Sequence, residues 1–144
     1  MLTIDANVFV SAASTSEIQY STSTEFFVRV LQLSERLYCP TLLVPETIAG
    51  IYGPTNDILL ARRTVSGVDQ FPELILVNVD TVLANAAANV VIQCRLRGAD
   101  AVYVAVAQEY GTMLITWDQE LLERGVLAVP TMTPTEWLVS HPTG

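Results

Sequence analysis

Short apolar segments alternate with longer helical ones along the chain, and this alternation is the feature that most constrains the fold. The apolar segments have the length and residue types of buried strands, and they span residues 1–5, 37–40, 73–80, 112–117 and 126–130. Strands that alternate with helices of ten or more residues predict a mostly parallel sheet with helices on both faces. We therefore expect an α/β fold of three layers, α/β/α, in one domain that comprises residues 1–144.

The helices are indicated by apolar periodicity and by residues that start or stop helices. The capping-box spacing of Thr22 and Glu25 predicts a helix start, while Gly53-Pro54 and Gly98 are predicted to end two other helices. The predicted helices span residues 22–37, 42–52, 57–68, 82–97, 99–111, 118–125 and 133–140.

Four acidic residues lie at the edges of strongly apolar stretches rather than in a run of charged residues. They are Asp5, Glu46, Asp100 and Asp118. Carboxylates are rarely placed against a core unless something pairs with them, and a divalent metal ion is a common partner. Taken singly, each has a structural explanation: Asp5 as a loop residue, Asp100 and Asp118 as helix caps, and Glu46 as an exposed helix residue. Only their joint placement suggests a site.

The predicted topology gives these carboxylates a reason to meet. In open parallel sheets, ligands bind beyond the carboxyl ends of the strands, where Asp5 and Asp118 both lie. Asp100 is near a helix start, where the helix dipole favours a carboxylate, and Glu46 has a side chain long enough to complete the group. Converging carboxylates raise one another's pKa unless a cation intervenes, and oxygen-rich sites suit Mg²⁺ or Mn²⁺. Such ions support phosphodiester hydrolysis by activated water.

The basic residues narrow the chemistry further. All seven are arginine, lysine is absent, and the formal net charge is −8. The absence of lysine excludes mechanisms that need a lysine point charge or a Schiff base. The acidic balance argues against strong non-specific binding of nucleic acid. We hypothesise that Arg62 and Arg63, or Arg95 and Arg97, flank the acidic crevice and contact phosphate.

Composition also indicates where a chain of this kind resides. Hydrophobic residues make up 51% of the sequence, yet no run of about 18 apolar residues suggests a membrane span. The opening stretch lacks a positive region and carries Asp5, so it does not match a secretory signal. Cys39 and Cys94 have no metal-type spacing and are expected to be reduced core residues. We expect a cytoplasmic protein without a membrane segment.

These motifs together resemble the PIN-domain family of metal-dependent ribonucleases, especially the VapC-type toxins of toxin–antitoxin pairs. The resemblance covers essentially the whole chain. DANVF is similar to the opening D-x-N/S element, PET to the second acidic position, GADAVYVAVA to the third and TWD to the Thr/Ser-x-Asp element. It implies that Asp5, Glu46, Asp100 and Asp118 are catalytic and hold the metal. Asn7 and Thr116 would support them, with Thr116 near metal or phosphate.

The same resemblance implies an RNA substrate, a Mg²⁺ or Mn²⁺ cofactor, a small antitoxin partner and a homodimer. Two alternatives remain open. One is a PIN-like module that binds RNA or protein without cutting it, which the net charge of −8 favours. The other is a haloacid-dehalogenase-like phosphatase or a receiver domain, but DANVF lacks the second Asp of the phosphatase D-x-D signature, and both ordinarily use a lysine.

Overall fold

Five parallel strands lie at the centre of the protein, in a computed structural model that describes residues 1–144. The strands are β1 (Leu2–Ile4), β2 (Leu37–Pro40), β3 (Leu74–Val77), β4 (Met113–Ile115) and β5 (Thr131–Met132). Their order across the sheet is β3-β2-β1-β4-β5, and every neighbouring pair is parallel. The order reverses beside β1, between β1 and β4, which is where open α/β sheets bind ligands.

Eight α-helices cover the two faces of the sheet, which confirms the predicted three-layer α/β/α fold. They are α1 (Ala6–Ala13), α2 (Tyr20–Gln32), α3 (Leu43–Thr55), α4 (Ile58–Asp69), α5 (Thr81–Cys94), α6 (Gly98–Tyr110), α7 (Gln119–Arg124) and α8 (Pro134–Ser140). Helix α6 contacts β1, β2 and β4 and packs against α5. Helix α1 packs against α2 and α3, α3 packs against α4, and α2 packs against α8.

The centre of the sheet and helix α6 form the core that positions the site. Strand β1 is buried along its length, and five consecutive residues of α6, 103–107, are also buried. Charged side chains are disfavoured in the middle of a helix that is so deeply buried. Its acidic residue near the buried sheet, Asp100, lies in the first turn, at the edge of the core.

Three predicted helix boundaries in the first half of the chain are wrong. Helix α2 begins at Tyr20, so Thr22 and Glu25 lie inside it and do not form a cap, and it ends at Gln32 rather than at residue 37. Helix α3 continues through Pro54 to Thr55 and ends at Asn56, whose φ of 53° is left-handed. A proline in the last turn removes one backbone donor without preventing the residues beside it from remaining helical. The left-handed Asn56 then ends the helix.

Two further differences lie in the second half of the chain. Helix α5 ends at Cys94 because Arg95 adopts a left-handed φ of 55°, so Gly98 begins α6 instead of ending α5. Residues 126–130 are not the last strand. Gly125–Leu127 form a short 3-10 helix, and β5 follows Pro130. An apolar segment of five residues does not distinguish a buried strand from a buried turn of helix by periodicity alone.

Cys39 and Cys94 are both buried and unpaired, as expected of core cysteines. No helix has both the length and the apolar character needed to cross a membrane.

Candidate active site

Asp5 is the most deeply placed acidic residue of the site. It follows β1 directly, takes the N-cap position of α1, and is only 6% exposed. The hydroxyl of Thr116 donates a hydrogen bond of 2.7 Å to Asp5 Oδ2. The side chain makes no capping bond to the helix, so Oδ1 accepts no hydrogen bond from α1. A buried carboxylate with a free oxygen is therefore present at the carboxyl end of the central strand.

Thr116 connects the ends of the two central strands. Leu2, Thr3 and Ile4 of β1 are in register with residues 113–115 of β4, so the residues that follow the two strands, Asp5 and Thr116, meet. The Thr116 hydroxyl also accepts hydrogen bonds from the backbone N–H of Asp118, at 2.9 Å, and from Asn7 Nδ2, at 3.3 Å. One buried hydroxyl thus contacts three of the positions that the resemblance singled out.

Asn7 fixes the same junction from the side of α1. Its Oδ1 accepts a hydrogen bond of 3.2 Å from the backbone N–H of Trp117. With its amide group bonded to Thr116, both polar atoms of Asn7 are used in joining α1 to the segment after β4. Asn7 and Thr116 therefore lie where supporting residues of the site would be needed.

The four acidic side chains all lie at helix N-termini. Asp5 and Asp118 are the N-cap residues of α1 and α7, while Glu46 and Asp100 lie in the first turns of α3 and α6. Asp118 alone forms a true cap, because its Oδ1 accepts a 3.0 Å bond from the N–H of Leu121. The positive ends of four helix dipoles face this group of carboxylates, called the acidic cluster below, and stabilise negative charge there.

The charges of the other three acidic side chains act on Asp5, so the four lie near one another. The pKa of Asp5 is raised from 3.8 to about 7, chiefly by burial, and further by the charges of Asp100, Glu46 and Asp118. The Thr116 hydrogen bond opposes this shift by stabilising the ionised form. The four acids named in the sequence analysis therefore lie in one region of the protein, and their joint role in holding a metal stays a prediction.

The pKa values of Glu46 and Asp100 are also raised. Burial is the largest cause for both, and the negative charge of Asp100 adds to it at Glu46, as that of Asp118 does at Asp100. The Arg97 guanidinium lowers both values. Functional sites typically contain several carboxyl groups whose pKa values are raised by burial and by neighbouring like charges.

Tyr103 was not identified as a member of the site from the sequence, whereas Arg97 was hypothesised to flank the acidic crevice. The Tyr103 hydroxyl donates a 2.8 Å hydrogen bond to Glu46 Oε2, and burial raises the pKa of this phenol far above its usual range. Arg97 Nε lies 3.2 Å from Asp100 Oδ2, and its Nη2 lies 3.8 Å from Asp118 Oδ2. The sequence did contain a signal for Tyr103, because it lies three residues after Asp100, on the same face of α6.

The fold places only one of the four arginines hypothesised to flank the crevice beside the acidic cluster. Arg62 and Arg63 line two apolar grooves beside α4, and neither groove includes an acidic residue of the cluster. Arg95 ends α5, and its carbonyl accepts a bond from Arg124. Of the four arginines, Arg97 is the one that contacts the acidic cluster.

The donor atoms of the acidic cluster fit a hard divalent cation. Four carboxylates in a half-buried crevice provide only oxygen ligands, which suit Mg²⁺ or Mn²⁺. Asp5 has a free oxygen, and its pKa is raised chiefly by burial and further by the neighbouring carboxylates. In this structure no three acidic, histidine or cysteine side chains are grouped closely enough to hold one ion. The positive charge beside Asp100 and Asp118 is that of Arg97.

Comparison with known proteins identifies the family. The family model of the PIN domain matches residues 2–127, so the chain belongs to the PIN-domain family. Members of this family are generally nucleases. No curated protein matches the chain in sequence.

Solved structures with the same fold include three bacterial proteins. VapC20 of Mycobacterium tuberculosis, a toxin that cleaves the sarcin-ricin loop, has a TM-score of 0.70 at 12% identity, over 85% of this chain and 94% of its own. FitAcB from Neisseria gonorrhoeae has a TM-score of 0.71 at 15% identity, covering 94% and 99%. A toxin–antitoxin complex from Klebsiella pneumoniae has a TM-score of 0.67 at 16% identity, covering 93% and 98%. These similarities establish the fold.

Proposed function

We propose that this protein is a metal-dependent endoribonuclease and the toxin of a VapBC-type toxin–antitoxin pair. The observation that carries the proposal is the acidic cluster, in which four carboxylates from four helix N-termini meet beside the central strands of a PIN domain. Burial raises the pKa of Asp5 to about 7, the charges of the other three carboxylates add to the shift, and a divalent cation would offset both effects.

Asp5, Asp100 and Asp118 are assigned to hold Mg²⁺ or Mn²⁺, with Glu46 as a further ligand or as the group that orients the attacking water. When bound, the ion would polarise the phosphodiester and lower the pKa of water, so that hydrolysis needs no covalent nucleophile. The Tyr103 hydroxyl restricts Glu46 to one position by its 2.8 Å hydrogen bond. A fixed carboxylate orients a water more effectively than a mobile one.

Thr116 and Asn7 are assigned as positioning residues. The Thr116 hydroxyl holds Asp5 by donating to Oδ2, and it holds the backbone of Asp118 by accepting from its N–H. Asn7 fixes Thr116 and the backbone of Trp117. The helix N-termini that surround the cluster also present positive dipole ends, which lower the cost of bringing an anionic phosphodiester to an acidic protein.

The proposed partner is a small antitoxin that covers the site, and the proposed assembly is a homodimer in the cytoplasm. Support comes from relatives of the fold, since VapC20 is a toxin and the Klebsiella pneumoniae structure is a toxin–antitoxin complex. The present chain matches nearly the full length of both proteins.

A second candidate function is a PIN module that binds RNA or a protein without cutting it. The ion pairs of Arg97 with Asp100 and Asp118 favour it, because they partly neutralise the cluster without a metal. The net charge of −8 favours it as well. Membership of the PIN family leaves no place for the phosphatase or receiver alternative.

The proposed function is tested by incubating the purified protein with a mixture of structured and single-stranded RNAs, after removal of bound metal with a chelator. Internal cleavage is expected to appear when Mg²⁺ or Mn²⁺ is added back, and to stop when the chelator is added in excess. RNA binding without cleavage under any metal condition would support the binding module instead. Cleavage that continues in excess chelator would contradict the metal-dependent mechanism.

A further inference from the structure

Arg97 lies at the mouth of the acidic cluster with an exposed side chain. Its side chain is 72% exposed, although its guanidinium reaches Asp100 at 3.2 Å and Asp118 at 3.8 Å. Arg97 is also the N-cap residue of α6, so its backbone is fixed while its side chain folds back over the first turn of the helix. The guanidinium therefore lies in a place that it can leave without disturbing the core.

A second acidic residue offers Arg97 an alternative position. Glu120 Oε2, in the first turn of α7, lies 3.9 Å from Arg97 Nε and outside the acidic cluster. Glu120 Oε1 is paired with Arg124 at 3.0 Å, which keeps the carboxylate close to the crevice. Exposed ion pairs contribute little stability each, so exchange between these carboxylates is energetically easy.

We propose that Arg97 is an exchangeable countercation of the acidic cluster, which neutralises Asp100 and Asp118 in the metal-free protein and contacts a phosphate of the RNA once a divalent ion has bound. The inference rests on the proposed function, because it concerns how the same site changes between its metal-free and substrate-bound states. The site then retains a positive group whether or not metal is present. This positive group would attract the RNA phosphates to a chain whose net charge is −8.

The exchange has two consequences of opposite sign. In the metal-free protein Arg97 competes for Asp100 and Asp118, so its removal should strengthen metal binding. In the RNA complex the same guanidinium attracts a phosphate, so its removal should weaken substrate binding. An ordinary structural residue would not produce this pair of effects, because a damaged site binds both metal and RNA less well.

Arg97→Gln and Arg124→Gln form a matched pair for the test. Both remove one positive charge from an exposed arginine beside Glu120, but Arg124 does not contact the acidic cluster. Calorimetric titration of the metal-free proteins with MnCl₂, without RNA, should give a dissociation constant roughly two- to tenfold lower for Arg97→Gln than for wild type. Arg124→Gln should bind Mn²⁺ as wild type does. Equal or weaker Mn²⁺ binding by Arg97→Gln would overturn the proposal.

The second measurement is steady-state cleavage of a single-stranded RNA at saturating Mn²⁺ and several salt concentrations. Arg97→Gln should raise KM severalfold and reduce the slope of log KM against log salt by roughly 0.7, the value for one lost phosphate contact on a single strand. Arg124→Gln should leave KM and slope unchanged. An unchanged KM and slope in Arg97→Gln would also overturn the proposal.

The two proposals fail in different ways. If wild type neither binds Mn²⁺ nor cleaves RNA, the proposed function is wrong and the role of Arg97 is wrong with it. If wild type cleaves with Mn²⁺ but Arg97→Gln behaves as Arg124→Gln does in both measurements, only the role of Arg97 is refuted.

Discussion

Asp5 is the most deeply buried acid of the acidic cluster. It is buried, and three other carboxylates add to the effect of burial on its pKa. Thr116 relieves part of this cost by donating a hydrogen bond to Asp5, while Arg97 lies beside Asp100 and Asp118. A residue kept at such a cost is a candidate for function, because the same position filled by a neutral residue would make the metal-free fold more stable.

The cost at Asp5 predicts how stability depends on pH. Its pKa rises from 3.8 to about 7 on folding, so the protonated form favours the folded state below about pH 4. That contribution is lost as the pH rises through 7, and the shift corresponds to at most about 4 kcal/mol. In urea unfolding with chelator present, Asp5→Asn should be more stable than wild type at pH 8, with a smaller difference at pH 5. A difference independent of pH would contradict the raised pKa.

Thr116→Val should damage the site while preserving the shape of the side chain. It removes the bond to Asp5 and the acceptor for the Asp118 N–H, so we expect a loss of about 1–3 kcal/mol in the free energy of unfolding and reduced Mn²⁺ binding. Thr3→Val is the matched control, because Thr3 is also buried and its hydroxyl bonds to Thr112, away from the cluster. Thr3→Val should lose stability and keep Mn²⁺ affinity. Similar Mn²⁺ affinities in both variants would argue against the role of Thr116.

At the scale of elements, the site is assembled from four helix N-termini around two adjacent strands. Helices α1 and α7 begin shortly after β1 and β4. Because these two strands pair with each other, the N-cap residues of the two helices lie at the same edge of the sheet. Helices α3 and α6 contribute first-turn carboxylates from elsewhere in the chain. The arrangement combines acidic ligands with positive helix ends, which suits a site that must hold a cation and admit a phosphate.

Most elements could be predicted from the sequence, and the exceptions have physical causes. Most strands and helices with clear periodicity were correctly placed. The ends of α3 and α5 were missed because Asn56 and Arg95 adopt left-handed conformations that glycine usually provides. The proximity of the segments that carry Asp5 and Asp118 follows from the parallel pairing of β1 and β4. The contacts of Arg97 and Tyr103 do not, because they depend on tertiary packing of α6 against neighbouring elements.

The last helix, predicted over residues 133–140, allows the contribution of one helix cap to be measured. Thr133 and Glu136 form a complete capping box at the start of α8. Thr133→Ala should lower the free energy of unfolding by about 1 kcal/mol, since it leaves helix donors without partners. Thr135→Ala, a change of the same type at an exposed position of the same helix, should have little effect. Equal midpoints in urea for the two variants would show that the capping box contributes nothing.

At the scale of the whole molecule, β5 and α8 follow the residues that the family model matches, and both pack against the rest of the domain. The match ends at residue 127, yet β5 pairs with β4, and α8 packs against α2 through Trp137 and Phe26, whose rings are 5.0 Å apart. These contacts support the proposal that residues 1–144 form one domain. The net charge of −8 is also a property of the whole chain, and it places the burden of substrate attraction on the site itself.

A single domain should unfold in one cooperative transition. In Trp117→Phe, Trp137 is the sole remaining tryptophan, so its fluorescence reports on α8 while circular dichroism reports on all the helices. The two signals should give the same midpoint and slope in urea. An earlier fluorescence transition would show that the C-terminal elements unfold separately and would contradict the single domain.

The central claim is that the acidic cluster is a metal-dependent nuclease centre, and cleavage by Asp5→Asn tests it most directly. Asp80→Asn is the matched control, because Asp80 is also the N-cap residue of a helix but lies outside the cluster. With saturating Mn²⁺ and RNA, Asp5→Asn should cleave at least about a hundredfold more slowly than wild type, while Asp80→Asn should match it. If Asp5→Asn cleaves RNA at the wild-type rate, the cluster is not the site of catalysis.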